Sequence, residues 1–248
     1  MTEPSTTKPL SKVTYEGVEI PLPSGGGDTV RTGTIGMYIN GTEEEYEIKA
    51  EDLAGVYSIP EQFFAGHLIT KLELPNSLEL LEDGAFDGIL IEEIVIPDSV
   101  VEMYGAPFSN CENLVRAKLS KNLVGSVWES PFAFCPNLET VEIPEGITII
   151  PPYCFETNNY LVDVVLPSTI EEILMGAFDM GEYEYITILA TTPPELDPDV
   201  FSPALTTVYV PYGCASAYQN DTNWAELWVE NGGNIEFVEL NPDGTKPQ

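Results

Sequence analysis

The sequence predicts an elongated solenoid of stacked coils, each giving one short parallel strand and a set of turns. Two observations predict it. A short strand pattern recurs along the middle of the chain, and phenylalanines recur with it, 22 to 24 residues apart. A third observation, 41 acidic against 9 basic residues, bears on how such a body meets its surroundings.

From the N-terminus, residues 1–11 are polar and expected to be flexible. Residues 12–20 read as a strand, followed by a break at the Pro-Ser-Gly-Gly-Gly run 23–27. Asn40-Gly41 is a favoured type I′ turn pair and predicts a hairpin between 34–39 and 45–48. Residues 12–55 are therefore expected to form a β segment that caps the first coil, whose core would otherwise be exposed.

The coils follow over 56–228. Residues 71–75, 93–97, 140–144, 163–167 and 207–211 each read x-apolar-x-apolar-Pro, and 116–120 fit with Ser120 in place of proline. Alternation of this kind gives a strand with one face inward and one outward. Proline closes it because it has no N–H for the ladder. Three residues after the Pro or Ser comes a further apolar residue: Leu78, Val100, Leu123, Ile147 and Ile170. Phe64, Phe86, Phe108, Phe132, Phe155, Phe178 and Phe201 then close the units. A single coil cannot bury such an edge, but stacked coils merge their edges into one core. Trp224, Leu227 and Trp228 are expected to cover the last coil, and residues 229–248 to give a final strand, at 234–240, and a tail.

The unit Leu-x-x-Ile-x-Leu-Pro-x-x-Val…Ala-Phe-x-x-Cys-x-Asn-Leu resembles the BspA-type, or Treponema-pallidum-type, leucine-rich repeat. The match is carried by Gly84-Ala85-Phe86, the run 106–114, the run 134–138 and Gly176-Ala177-Phe178. The closing stretch 190–194, then 208–214, Tyr218 and Trp224 resembles the last coil and cap of that family. The likeness covers roughly 56–228, with departures at Ser120 and an irregular unit at 124–135. It implies a leucine-rich-repeat solenoid of the β-rich horseshoe class. It also implies a bacterial or protist surface protein with a role in adhesion.

The charge of −32 argues against nucleic acid and anionic membrane as partners, because both are bound by Lys and Arg that displace counterions. No apolar run approaches the roughly 18–20 residues that span a bilayer, so no direct membrane insertion is expected. The first thirty residues show no signal peptide. A cell-surface or secreted location is expected if Met1 is an introduced start, and intracellular synthesis with virion assembly if it is native.

No catalytic site, metal site or cofactor is expected. His67 is the single histidine, and it stands three residues after Phe64 as Cys111 and Cys135 stand after Phe108 and Phe132. It thus holds a repeat position with a structural role. Cys111 and Cys135 are expected to be buried free thiols, and Cys154 a core residue beside Phe155. With 41 acids, no carboxylate pair stands out as a hydrolase site, and Asp197-Pro198-Asp199 lacks the loop of a calcium site.

The outward strand positions are the candidate binding face: Lys71, Glu73, Glu93, Arg116, Lys118, Thr140, Glu142, Asp163, Tyr185 and Tyr209. Arg116, Lys118 and Lys121 concentrate three of the nine basic residues in one coil, flanked by acids. They are expected either to pair across strands, Glu93 with Arg116 and Glu142 with Lys118, or to form a ligand patch grading into the tyrosines. The functional expectation is a non-catalytic module binding a protein or glycan. The alternative is a structural or host-recognition component of a phage particle, suggested by a loose resemblance of 12–20 to phage appendage proteins.

Overall fold

The computed structural model describes residues 12–15, 18–21, 45–124, 130–155, 158, 160–162, 164–179, 183–225 and 235–247. The chain winds as a parallel β-solenoid with little helix. Its main ladder consists of β3 (Tyr46–Ile48), β5 (Ile69–Leu72), β7 (Glu93–Val95), β9 (Arg116–Lys118), β10 (Thr140–Glu142), β12 (Val165–Leu166), β14 (Tyr185–Ile188), β16 (Thr207–Val210) and β17 (Glu236–Glu239). Parallel pairing joins β3 with β5, β7 with β9 and β10, and β12 with β14, β16 and β17. Of these, β5, β7, β9, β10, β12 and β16 are the strands read from the x-apolar-x-apolar pattern.

Six of the described coils carry a second short strand. A second parallel ladder runs through β4 (Ser58–Ile59), β6 (Leu80–Leu81) and β8 (Glu102–Met103), and again through β11 (Ile149–Ile150), β13 (Glu172–Ile173) and β15 (Glu195–Leu196). The turns at five of the phenylalanines, including Phe108 with its N–H on Pro131 O at 3.0 Å, are also stitched to the next coil. The N–H of Phe64 donates to Ala85 O at 2.8 Å, Phe86 to Pro107 O at 2.8 Å, Phe155 to Ala177 O at 2.9 Å and Phe178 to Val200 O at 2.8 Å. The backbone polar groups of the coils thus find partners in the neighbouring coil, as a buried backbone requires.

The phenylalanines stand in file. Ring centroids are 5.2 Å apart from Phe64 to Phe86, 5.3 Å from Phe86 to Phe108 and 5.9 Å from Phe108 to Phe132. They are 5.2 Å apart from Phe155 to Phe178 and 5.7 Å from Phe178 to Phe201, with planes inclined by 28° or less throughout. All are buried, in one core that also takes in Leu78, Val100, Leu123, Ile147 and Ile170. Two residues before the phenylalanine the backbone turns left-handed, at Gln62, Gly84, Ser130, Tyr153, Gly176 and Asp199. At Gly176, with φ +68°, a Cβ would lie 2.5 Å from the Tyr153 ring, so a side chain there would both strain the backbone and push that ring aside.

Three residues after the phenylalanine stands a second inner column. The Cys111 thiol donates to Phe86 O at 3.5 Å, the Cys135 thiol to Phe108 O at 3.2 Å, and Asn158 Nδ2 to Phe132 O at 2.9 Å. The column therefore supplies donors to carbonyls of the preceding coil, in addition to filling volume. Its first member, His67, is 3% exposed, with Nδ1 2.6 Å from Tyr46 Oη. All four cysteines are free, Cys111 and Cys135 as expected.

The two ends differ in construction. Residues 12–20, expected as one strand, form an antiparallel pair, β1 (Lys12–Tyr15) and β2 (Val18–Pro21). The predicted turn at Asn40-Gly41 and its arm 34–39 lie outside the described residues. The other arm, β3, pairs in parallel with β5 and so is the first rung of the main ladder. At the far end Trp224 is fully buried, with Nε1 donating to Pro194 O at 2.9 Å. Helix α1 (Ala215–Asn220) brings Tyr218 in beside it, with the hydroxyl donating to Ala190 O at 2.7 Å. Buried aromatic rings whose polar atoms reach the last coil's carbonyls make a closed lid. Leu227 and Trp228 lie outside the described residues.

Candidate functional site

Strand alternation sends Ile94, Ala117, Val141, Ile186 and Val208 into the core and leaves their neighbours on an outer sheet face. Register places Arg116 between Glu93 and Thr140, and Lys118 between Val95 and Glu142. The two expected ion pairs form. Arg116 Nη2 lies 3.7 Å from Glu93 Oε2, and Lys118 Nζ lies 2.5 Å from Glu142 Oε1. Lys121 pairs with Asp98 at 2.8 Å, holding that carboxyl below the usual carboxylate range. Lys71 reaches back to Glu47 at 2.8 Å, which raises the lysine and lowers the glutamate from their ordinary values.

Two shallow grooves run along this face. One, of about 590 Å³, is lined by Glu93, Val95, Arg116, Lys118, Thr140, Glu142 and Val165 among others. The other, of about 550 Å³, adjoins it through Glu93 and Arg116 and includes Lys71, Glu73 and Asn113. Val95 is 59% exposed and Val165 is 38% exposed, so the central groove offers apolar surface framed by charge. Seven of the ten candidate residues therefore share one continuous surface. Asp163 lies outside the described residues.

Tyr185 and Tyr209 stand apart from both grooves. Their rings meet edge to face with centroids 5.8 Å apart. Lys246 Nζ lies over them, 4.0 Å from the Tyr185 centroid and 5.0 Å from the Tyr209 centroid. Lys246, read from the sequence as part of a tail, is the residue this face adds. Nothing periodic marks it. Only the pairing of β17 with β16 brings the segment after it back across the sheet.

Among the described residues, no group of three or more His, Cys, Asp or Glu side chains is arranged to hold a metal ion. No helix among them is long and apolar enough to cross a membrane.

Comparison with known proteins follows the same repeat. The family model described as "BspA type Leucine rich repeat region" matches in six copies, over residues 46–156 and 92–206. Among solved structures, one similar chain is a leucine-rich repeat protein from Bacteroides ovatus, with 21% identity over 77% of this chain and a TM-score of 0.45. Another is a leucine rich cell surface protein from Faecalibacterium prausnitzii, with 17% identity over 75% of this chain and a TM-score of 0.30. The chain spans a little over half of their lengths, 54% and 57%. No curated protein matches it.

Proposed function

The chain belongs to the BspA-type leucine-rich-repeat family, and from that premise we propose that it is a non-catalytic module of a bacterial cell surface that binds a protein or glycan through its outer strand face. The observation that supports this reading most is the central groove, where exposed Val95 and Val165 are framed by Glu93, Arg116, Lys118 and Glu142. Ion pairs this exposed contribute little to folding, so their charges are free to be re-used against a partner. A rigid ladder beneath holds them in fixed order, which keeps the ordering cost of binding low. The virion-component alternative gains no support from the family match.

The test is a charge reversal, Arg116→Glu with Lys118→Glu. Purified extracellular-matrix proteins and a glycan array give the surface to which the parent protein binds. The variant is expected to lose about tenfold or more in affinity for that ligand, which requires the two reversed charges together to be worth only about 1.4 kcal/mol. Circular dichroism and melting temperature should match the parent. Equal binding by a variant with unchanged folding would remove the central groove from consideration.

A further inference from the structure

The end of the strand face around Tyr185 and Tyr209 is built differently from its centre. Register sets Tyr185 beside Thr207 and Thr187 beside Tyr209, so the two rings and two hydroxyls form one patch across β14 and β16. Thr187 belongs to the outward row yet is only 5% exposed, and its Oγ1 has no hydrogen-bond partner among the described residues. A polar group covered and unsatisfied is uncommon in a surface made only for solubility. The rings are half-buried and angled to each other, and an ammonium group sits within 5.0 Å of both centroids. That lies within the roughly 6 Å over which an aromatic face attracts a cation.

The cation is delivered by a small folded device. Asn241 N–H donates to Thr245 O and Gly244 N–H to Asn241 O, each at 2.8 Å. Asn241 Nδ2 donates to Thr245 Oγ1 at 2.9 Å, and Thr245 Oγ1 to Asp243 Oδ1 at 2.7 Å. The turn closes on itself and presents Lys246 to the rings. The surroundings favour positive charge as well. Exposed Glu184 precedes Tyr185, and exposed Glu236 stands beside Thr207 in register.

We propose that Tyr185 and Tyr209 form a cation-accepting site that takes a lysine side chain of a partner protein, and that Lys246 is its internal occupant. The proposal rests on the strand face being the binding surface. It adds the chemistry recognised at one end and a competition between the chain's own lysine and the partner's. The chain's excess of acid draws in such a partner, and release of Lys246 opens the rings to it.

The experiment uses the full chain with ring-labelled tyrosine. Resonances are assigned with Tyr185→Phe and Tyr209→Phe, and Nα-acetyl-lysine amide is titrated at fixed ionic strength. Lys246→Ala is expected to bind this probe about five- to tenfold more tightly than the parent, with both ring signals shifting. Lys246→Arg should behave as the parent, because it keeps a cation in place. Tyr209→Leu in the Lys246→Ala background should abolish the shift, and the neutral Nα-acetyl-norleucine amide should produce none. Equal affinity of parent and Lys246→Ala overturns the proposal, as does an equal response to the norleucine probe. A lowered melting temperature for Lys246→Ala with no probe binding also overturns it, by making Lys246 a structural clamp. The Arg116→Glu, Lys118→Glu variant should titrate as the parent does, so failure of the central groove and failure of this site are separately visible.

Discussion

Phe108 and Arg116 belong to the same turn of chain, yet they answer to different constraints. Phe108 is fully buried between the like rings of Phe86 and Phe132, at 5.3 and 5.9 Å. Arg116 keeps 65% of its side chain exposed and has one ion pair at 3.7 Å. Repetition of the inner residue is compulsory, because each ring is half of its neighbour's packing. Variation of the outer residue is nearly free, because water and salt already screen it. A repeat protein can therefore hold its spine constant and write its binding properties on the sheet face.

Titration separates them most strongly. Burial pushes the Cys111 and Cys154 thiols above their ordinary 9.0 and the Tyr46, Tyr183 and Tyr218 phenols above their ordinary 10.0; for Cys111 the neighbouring Cys135 thiol contributes first. A group whose folded value is raised holds its proton in the folded chain after the unfolded chain has lost it. Its contribution is complete below the unfolded value and falls away as pH rises past it, by about 1.4 kcal/mol per unit and group. Unfolding by urea should accordingly show stability level to about pH 9, then a loss on the order of 5 kcal/mol by pH 10.5. All five groups belong to the interior or its caps, so the Arg116→Glu, Lys118→Glu variant should follow the same curve. A flat profile from pH 8 to 10.5 would mean that these groups are not sealed from water.

The next largest effect is loss of one ring. Phe108→Ala removes a fully buried side chain from the middle of the file, where coils on both sides prevent collapse into the void. The expected cost is about 3–5 kcal/mol, read as a lower urea midpoint. A cost under about 1.5 kcal/mol would show that the coils close up independently of their stacking.

The spine was legible in the sequence and much of the rest was not, for physical reasons. The phenylalanine file and the main strands announce themselves because each needs the same residue type at each turn. The second ladder does not, since strands of two residues such as Leu80–Leu81 and Glu102–Met103 are too short to show alternation. Nor does the left-handed column, because Gln62, Ser130, Tyr153 and Asp199 occupy it as well as Gly84 and Gly176. Tyr46–Ile48 carried a hairpin signal from its neighbour Asn40-Gly41, whereas its parallel partner β5 is non-local and leaves no local mark. On the face, the pairs Glu93–Arg116 and Lys118–Glu142 followed from register alone. Lys246 over Tyr185 and Tyr209 did not, since it depends on how the chain folds back after its last strand.

The smallest effect sets one polar residue of the interior against one of the face. Asn158 is fully buried and donates through Nδ2 to Phe132 O at 2.9 Å, standing in the column where Cys111 and Cys135 donate from their thiols. Asn158→Ala leaves that carbonyl buried without this donor and should cost about 1–3 kcal/mol. Lys118 also makes a short contact, to Glu142, but it does so in solvent with 42% of its side chain exposed. Lys118→Ala should shift stability by less than about 1 kcal/mol, and by less still at high salt. Both interactions look alike as distances; only burial distinguishes them. If the two substitutions cost the same, or Lys118→Ala the more, the face is part of what holds the coils together. Its charges would then not be free for a partner.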